Sequence, residues 1–427
     1  MINKLKSKFQ TEEHKRLLSN FFSLSALQMV NYILPLIIVP YLFVTLGTEK
    51  FGLIAFAQSI VMYFGLFVNY GFNLSATKEI AVHRNNKIKI SEIYSSVTII
   101  KFLLLIVAFG VFSIMIFSFD RFSEDWKLYL YTFGTVVESI FFPIWFFQGM
   151  EKMKYITIIY SISKIIVTIF IFLIIKNPSD YLYVPILYFI GSVSSGILSL
   201  FVLFLVFKVK FAIPTLDHLI FQLKDGWHLF ISNFTKNMYR NANILILGLF
   251  TTTLYVGYYA LAEKVIKALQ ALMGPVSDVL YPYMANKSAN QHQKKSIDDI
   301  FNISKYYSYI LVAIVIGILV FAPYIVRIVG GSYIDNVIVD MRILSFVIMF
   351  GVLNDLFGVI GLISLGYKKY FMMSVLFVGA LNVILCFVFV LEYKDMGVAT
   401  ALSISEFVLT TLLLSKLLKL KYIEGNI

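Results

Sequence analysis

Long apolar runs constrain this chain more than any other feature. Twelve follow one another, over residues 17–45, 51–76, 91–118, 127–149, 155–175, 181–207, 225–249, 252–283, 303–327, 338–364, 370–391 and 397–418. Each is close to or above the ~20 residues that a helix needs to cross a hydrocarbon layer ~30 Å thick. Of the 427 residues, 59% are hydrophobic and only 14% charged. A soluble fold of this size cannot bury so much apolar surface, so the class is polytopic membrane protein.

The net charge of +12 does not point to nucleic acid, because the basic residues collect in short loops between the runs. Placing the N-terminus in the cytoplasm puts 23 of the 36 Lys and Arg residues on that side. They include Lys4, Lys6, Lys8, Lys15 and Arg16 at the start and Lys416, Lys419 and Lys421 at the end. The other side receives seven: Lys50, Arg121, Lys127, Lys176, Arg327, Arg342 and Lys394. That asymmetry predicts both termini inside. The first run is too long for a signal-peptide core and is expected to remain as a span. Cys386 is the one cysteine and lies within an apolar run, so no internal disulfide or cysteine metal site is expected.

Six cations fall within the runs: Lys101, Lys164, Lys236, Arg240, Lys264 and Lys267. A cation at the centre of a membrane helix costs ~2.5–3.5 kcal/mol on insertion scales, so such positions mark either a wet cavity or a buried partner. In run seven, Asn233, Lys236, Asn237, Arg240 and Asn241 share an arc of roughly 140°. This face is read as the lining of a cavity for an anion, against the alternative of structural pairing with acids on neighbouring helices. In run eight, Glu263, Lys264, Lys267, Gln270, Gly274 and Asp278 share an arc of roughly 120°. Glu263 and Lys267 are four apart and can also pair with each other. Lys101 is near enough to the cytoplasmic end for its stem to snorkel. Lys164 is mid-span beside Ser161, Ser163 and Thr168. The in-span acids Glu138, Asp355 and Glu406, like Glu263, are candidates for ion pairing or for carrying a coupling proton. Run one has an uncharged polar face of Ser25, Gln28, Asn31 and Tyr32, followed by Pro35 and Pro40. Run two aligns Gln58, Asn69 and Asn73. Kinks are expected at Gly274-Pro275 and Tyr281-Pro282.

The two halves echo each other. Gly52-Leu-Ile-Ala-Phe-Ala-Gln58 opens run two, and Gly257-Tyr-Tyr-Ala-Leu-Ala-Glu263 opens run eight. Gln148-Gly-Met-Glu-Lys-Met-Lys-Tyr155 follows run four, and Leu365-Gly-Tyr-Lys-Lys-Tyr370 follows run ten. The expectation is an all-α integral membrane protein with 12 transmembrane helices in two six-helix bundles. Six spans per half is even, so a pseudo-two-fold axis should run along the membrane normal. The expected division is a cytoplasmic segment 1–16, bundles 17–210 and 211–420, and a tail 421–427. No phosphate-cradling glycine loop, HExxH or Cys/His cluster is present, which argues against an enzyme and against a metal or other cofactor.

The chain resembles the Wzx-type O-antigen flippases of the multidrug/oligosaccharidyl-lipid/polysaccharide superfamily. The resemblance rests on Gln28-Met-Val-Asn-Tyr-Ile-Leu-Pro-Leu-Ile-Ile-Val-Pro-Tyr41, Leu46-Gly-Thr-Glu-Lys-Phe-Gly52, Asn69-Tyr-Gly-Phe-Asn-Leu-Ser-Ala-Thr-Lys-Glu-Ile-Ala81 and Pro143-Ile-Trp-Phe-Phe-Gln-Gly-Met-Glu-Lys-Met-Lys154. Beyond these it is looser, through Gly226-Trp-His-Leu-Phe-Ile-Ser232 and Tyr281-Pro-Tyr283. Asn69 departs from the family pattern, which often has an acid before Tyr-Gly-Phe. The resemblance implies an oligosaccharide repeat unit on undecaprenyl diphosphate, moved across the bacterial inner membrane by alternating access between two bundles arranged as a V. Membrane lipid and the lipid-linked oligosaccharide are the implied partners, with room for a glycan polymerase and a chain-length regulator. Lys236 and Arg240 would hold the diphosphate, and Lys264 and Lys267 would face them. Asn233, Asn237, Gln28 and Asn31 would meet sugar or water. Other readings are a carrier of capsule or teichuronic-type glycans, a drug exporter of the same superfamily, and a non-transporting scaffold.

Overall fold

The computed structural model describes residues 12–274 and 293–425, with residues 277, 280, 281, 284 and 287 between them. Within the helices, the side chains of residues 12–18, 21, 232, 233, 235, 236, 238–240, 293, 294 and 423–425 lie outside the description. The described residues are mainly helical, with no strand among them. In chain order the helices are α1 (Glu12–Asn69), α2 (Phe72–Val82), α3 (Lys87–Ser118), α4 (Asp120–Ser123), α5 (Trp126–Phe133), α6 (Glu138–Phe141), α7 (Ile144–Gly149) and α8 (Met153–Ile174). They continue as α9 (Tyr183–Phe201), α10 (Leu216–Arg240), α11 (Ala242–Phe250), α12 (Thr253–Ala271), α13 (Gln293–Gly330), α14 (Asp335–Asn354) and α15 (Lys368–Gly425). Among the described residues, eight helical segments are long and apolar enough to cross a membrane. The segments Phe22–Val82 and Lys368–Tyr422 have 61 and 55 residues, long enough for two crossings each.

Contacts divide the chain into two compact units: Met1–Ile38 with Ala57–Asn237, and Val39–Phe56 with Met238–Ile427. The first packs around Phe72, Ile80, Ile93, Tyr94, Val97, Trp145, Phe146 and Phe147. Helix α9 joins it through small buried residues, Gly191, Ser192, Ser195, Gly196 and Ser199. Small residues let membrane helices approach closely, because no hydrophobic force separates helix from lipid there. In the second unit α14 packs against α12, α13 and α15, and its span is the most deeply buried of the eight.

Two runs expected to be separated by a loop are joined in α1 by a single residue, Gly47, at φ 78 and ψ 162. A Cβ is strained at that φ, so glycine allows the chain to turn without leaving the helix. Run four differs more from its expectation. It breaks into α5, a 3-10 turn over Gly134–Val137, α6 and α7. Pro143 lacks the N–H that would continue the ladder and pushes Phe142 to φ −110, ψ 85. Run seven also breaks, at Asn241, which separates α10 from α11. The expected kinks at Pro275 and Pro282 fall outside the described residues; α12 ends before them, in a turn at residues 272 and 273.

The two echoing glycines meet in space, inside the second unit. A Cβ on Gly52 would lie 2.5 Å from the Gly257 nitrogen and 2.9 Å from its Cα. A Cβ on Gly257 would lie 2.7 Å from Thr48 Cγ2 and 3.0 Å from the Thr48 carbonyl carbon. The contact is reciprocal, as expected where two related segments cross about a local two-fold.

Candidate functional site

The first unit contains a half-open cavity of about 430 Å³, within the ~300–1,000 Å³ range of small-molecule sites. Its polar wall is built by three local features. Gln58 and Asn69 are eleven residues apart on α1 and so share one helical face, with Asn73 of α2 continuing it. Thr132, Thr135 and Glu138 follow at intervals of three, across the tightened turn between α5 and α6. A 3-10 turn stacks positions i and i+3, so these three point the same way. Ser139, Tyr160 of α8 and Tyr188 of α9 complete it, with Met62, Leu66, Val136 and Phe142 as apolar parts.

Two cations stand behind that wall. Lys101 of α3 is only 2% exposed. Its Nζ donates to Asn69 Oδ1 at 3.0 Å and to the Ser139 carbonyl at 2.9 Å. The expected snorkel to the membrane surface does not occur, because Asn69 and Ser139 offer acceptors inside the unit. Lys164 Nζ donates to Asn31 Oδ1 at 2.6 Å and sits 4.8 Å above the Tyr160 ring. Glu138 lies on the wall itself. Its Oε1 accepts from Ser195 Oγ at 3.0 Å and its Oε2 from Ser192 Oγ at 3.4 Å. A carboxylate, two ammonium groups and three amides thus surround a cavity between otherwise apolar helices. Such groups are costly in hydrocarbon and are retained where water or a polar solute enters.

The second unit carries a separate polar chain through its core. Asn382 Nδ2 donates to Asn243 Oδ1 at 2.9 Å, Asn243 Nδ2 to Tyr259 Oη at 3.0 Å, and Tyr259 Oη to Glu263 Oε1 at 3.3 Å. Glu263 also pairs with Lys267 at 3.0 Å, the four-residue pairing weighed above. Lys264 Nζ lies 5.0 Å over the Phe51 ring. Glu406 Oε2 accepts from Asn354 Nδ2 at 2.7 Å, while Asp355 is exposed where the helix widens into a π-turn over Asp355–Ile363.

The predicted residues are therefore spread over both units. Glu138 lines the first-unit cavity, Lys164 and its partner Asn31 stand behind the wall, and Gln28 is exposed and does not line it. Asn237 is half-buried on α10. The side chains of Asn233, Lys236 and Arg240, on the same helix, lie outside the described residues, as does Asp278. Lys101, Ser192 and Ser195 had no part in the predicted site. Their signal is weak in sequence, since a serine in an apolar helix ordinarily bonds its own turn.

Residues 17–288 match the family described as Polysaccharide biosynthesis protein. The chain belongs to that family. An Escherichia coli (strain K12) protein named "Putative O-antigen transporter" is 28% identical over 401 residues, covering 92% of this chain and 95% of that protein. A Shigella dysenteriae protein of the same name is 30% identical over 282 residues, covering 65% and 69%. Among solved structures, "Lipid II flippase MurJ, inward closed conformation" is similar with a TM-score of 0.72, at 18% identity over 94% of this chain and 87% of that one. An inward-facing MATE multidrug-resistance transporter of the MOP superfamily follows with a TM-score of 0.67, at 14% identity, covering 95% and 97%. This member of the polysaccharide biosynthesis family thus has the fold of membrane transporters, and its relatives are named as transporters rather than enzymes.

Proposed function

We propose that the protein is a flippase for a lipid-linked oligosaccharide: a repeat unit on undecaprenyl diphosphate, carried from the cytoplasmic to the outer leaflet of the bacterial inner membrane for O-antigen assembly. The observation that carries this reading is the cavity inside an apolar helical unit whose wall carries amides, hydroxyls and a carboxyl group. A glycan crossing a bilayer must exchange its hydration for hydrogen bonds to protein, and amides, hydroxyls and a carboxylate supply them. Membership of the polysaccharide biosynthesis family and relatives named for O-antigen transport support the same cargo. The polyprenyl tail needs no site, because it stays in lipid.

In this proposal Lys236 and Arg240 take the diphosphate, Arg through its planar fork and Lys as a point charge, and Lys264 contributes from α12. Both termini are cytoplasmic. Six-helix bundles 17–210 and 211–420 expose the cargo path to each leaflet in turn. Deleting the gene tests the reading. Lipid-linked glycan should accumulate on the cytoplasmic leaflet and surface glycan should fall, with recovery on re-expression. Unchanged surface glycan in the deletion strain would refute it.

A further inference from the structure

We propose that the first-unit cavity is a docking pocket for a neutral sugar ring of the cargo, kept apart from the diphosphate. This deepens the flippase reading and rests on it. The charge arrangement decides the ligand class. Glu138 is the acidic side chain on the wall, and the Ser195 and Ser192 hydroxyls that donate to its two oxygens favour its charged form. Lys101 is committed to Asn69 and the Ser139 carbonyl, and Lys164 to Asn31 and the Tyr160 ring. Neither ammonium lines the cavity. The two lysines offset the carboxylate without offering a cation to the cargo. A phosphate or a uronate entering here would meet a carboxylate between apolar helices, where like charges are poorly screened.

A neutral pyranose suits the same wall. Glu138 spends one hydrogen bond on each oxygen, and a carboxylate oxygen can accept more than one, so neighbouring hydroxyls have acceptors. Gln58 and Asn73 both donate and accept, and Tyr160 and Tyr188 cover C–H surface.

The test uses the full chain in proteoliposomes with two synthetic probes. One is a polyprenyl diphosphate bearing a neutral trisaccharide; the other has one hexose replaced by its uronic acid. The wild type should move the neutral probe at least about tenfold faster, as a buried like-charge juxtaposition implies. Glu138→Gln should narrow that ratio to about threefold or less, because the repulsion is gone. Gln58→Leu, which alters the wall without removing a charge, should slow the neutral probe about tenfold, the scale of one hydrogen bond to a polar ligand. Equal or reversed rates in the wild type, or an unchanged ratio in Glu138→Gln, would overturn the pocket while leaving the flippase reading standing. Should Glu138→Gln not fold, full neutral-probe transport by Gln58→Leu would overturn it instead. Movement of neither probe by the wild type would overturn the flippase reading itself, and the pocket with it.

Discussion

Replacing Gly257 by alanine should loosen the second unit. The new methyl would press on Thr48, 2.7 Å from Cγ2 and 3.0 Å from the carbonyl carbon. The nearest atom is the Thr48 carbonyl oxygen, and ordinary carbon–carbon contact is ~3.5–4.0 Å, so the two helices must part by roughly 1 Å. The atoms in the way are mostly backbone and cannot swing aside. Contacts this short against backbone put the cost at the upper end of the range for overpacking, about 2–3 kcal/mol, partly offset by ~1 kcal/mol from alanine's better helix propensity. The expected net loss is about 1–2 kcal/mol. At ~2–4 °C per kcal/mol for a unit of roughly this size, the melting midpoint should fall by about 2–8 °C. Thermal unfolding of the detergent-solubilised protein, followed by size-exclusion, measures it. Gly317→Ala is the control, since a Cβ there meets nothing within 4 Å; it should be neutral or slightly stabilising. Equal midpoints for Gly257→Ala and Gly317→Ala would refute the reasoning. Gly52→Ala should behave like Gly257→Ala, and the double variant should lose less than the sum, because both open one crossing.

The remaining predictions concern charge. If Lys236 and Arg240 hold the diphosphate, the Lys236→Ala, Arg240→Ala double variant should insert normally but display no surface glycan, and full display would remove that assignment. If one of Glu138, Glu263, Asp355 and Glu406 carries a coupling proton, its amide variant should make transport indifferent to the proton gradient. Undiminished gradient dependence in all four would end that idea. Asn69→Leu would leave the buried Lys101 with one acceptor, the Ser139 carbonyl. It should cost about 1–3 kcal/mol in thermal unfolding, and adding Lys101→Met should restore part of the loss.

Much of the fold was legible because hydrocarbon imposes one requirement on every span. An uninterrupted apolar run must satisfy its backbone internally, and a helix is the local way to do so. What hydropathy cannot see is how a helix is interrupted. Gly47 and Lys394 turn the chain with one residue each inside continuous helices, where a loop was expected. Pro143 was visible, yet the 3-10 turn upstream of it at Gly134–Val137, and hence the row Thr132, Thr135 and Glu138, was not. The face of Gln58, Asn69 and Asn73 was readable from spacing alone, and Glu138 stood out as an acid within an apolar run; both belong to the cavity wall. Lys101 was misread because its depth depends on partners. Whether a lysine snorkels or stays inside turns on acceptors 32 and 38 residues away along the chain, which no periodicity reports. The cation face of α10 was the strongest signal in the sequence, while the first-unit cavity emerged only from packing.

Asn69 gives the sharpest test of how that cavity balances its charge. Its Oδ1 stands 3.0 Å from the Lys101 ammonium and its Nδ2 is donated to the Gly65 carbonyl at 3.0 Å. The cation is thus held by neutral oxygens in a site nearly closed to solvent. Asn69→Asp is almost isosteric and turns one of those oxygens into an anion. The usual objection to a buried ion pair is that both charges must be desolvated. Here the folded protein already meets that cost for Lys101, so only the carboxylate's share is new. Loss of the bond to the Gly65 carbonyl subtracts ~1 kcal/mol and desolvation of the half-buried carboxylate subtracts a few more, while the attraction of full opposite charges at 3.0 Å adds ~5 kcal/mol at an effective dielectric near 20. A small net stabilisation is expected, seen as a higher melting midpoint. The extra negative charge at the wall should also widen the preference for neutral over acidic glycans. A lower midpoint would mean that Lys101 is already compensated from elsewhere, and the account of the cavity's charge would have to be redrawn around that partner.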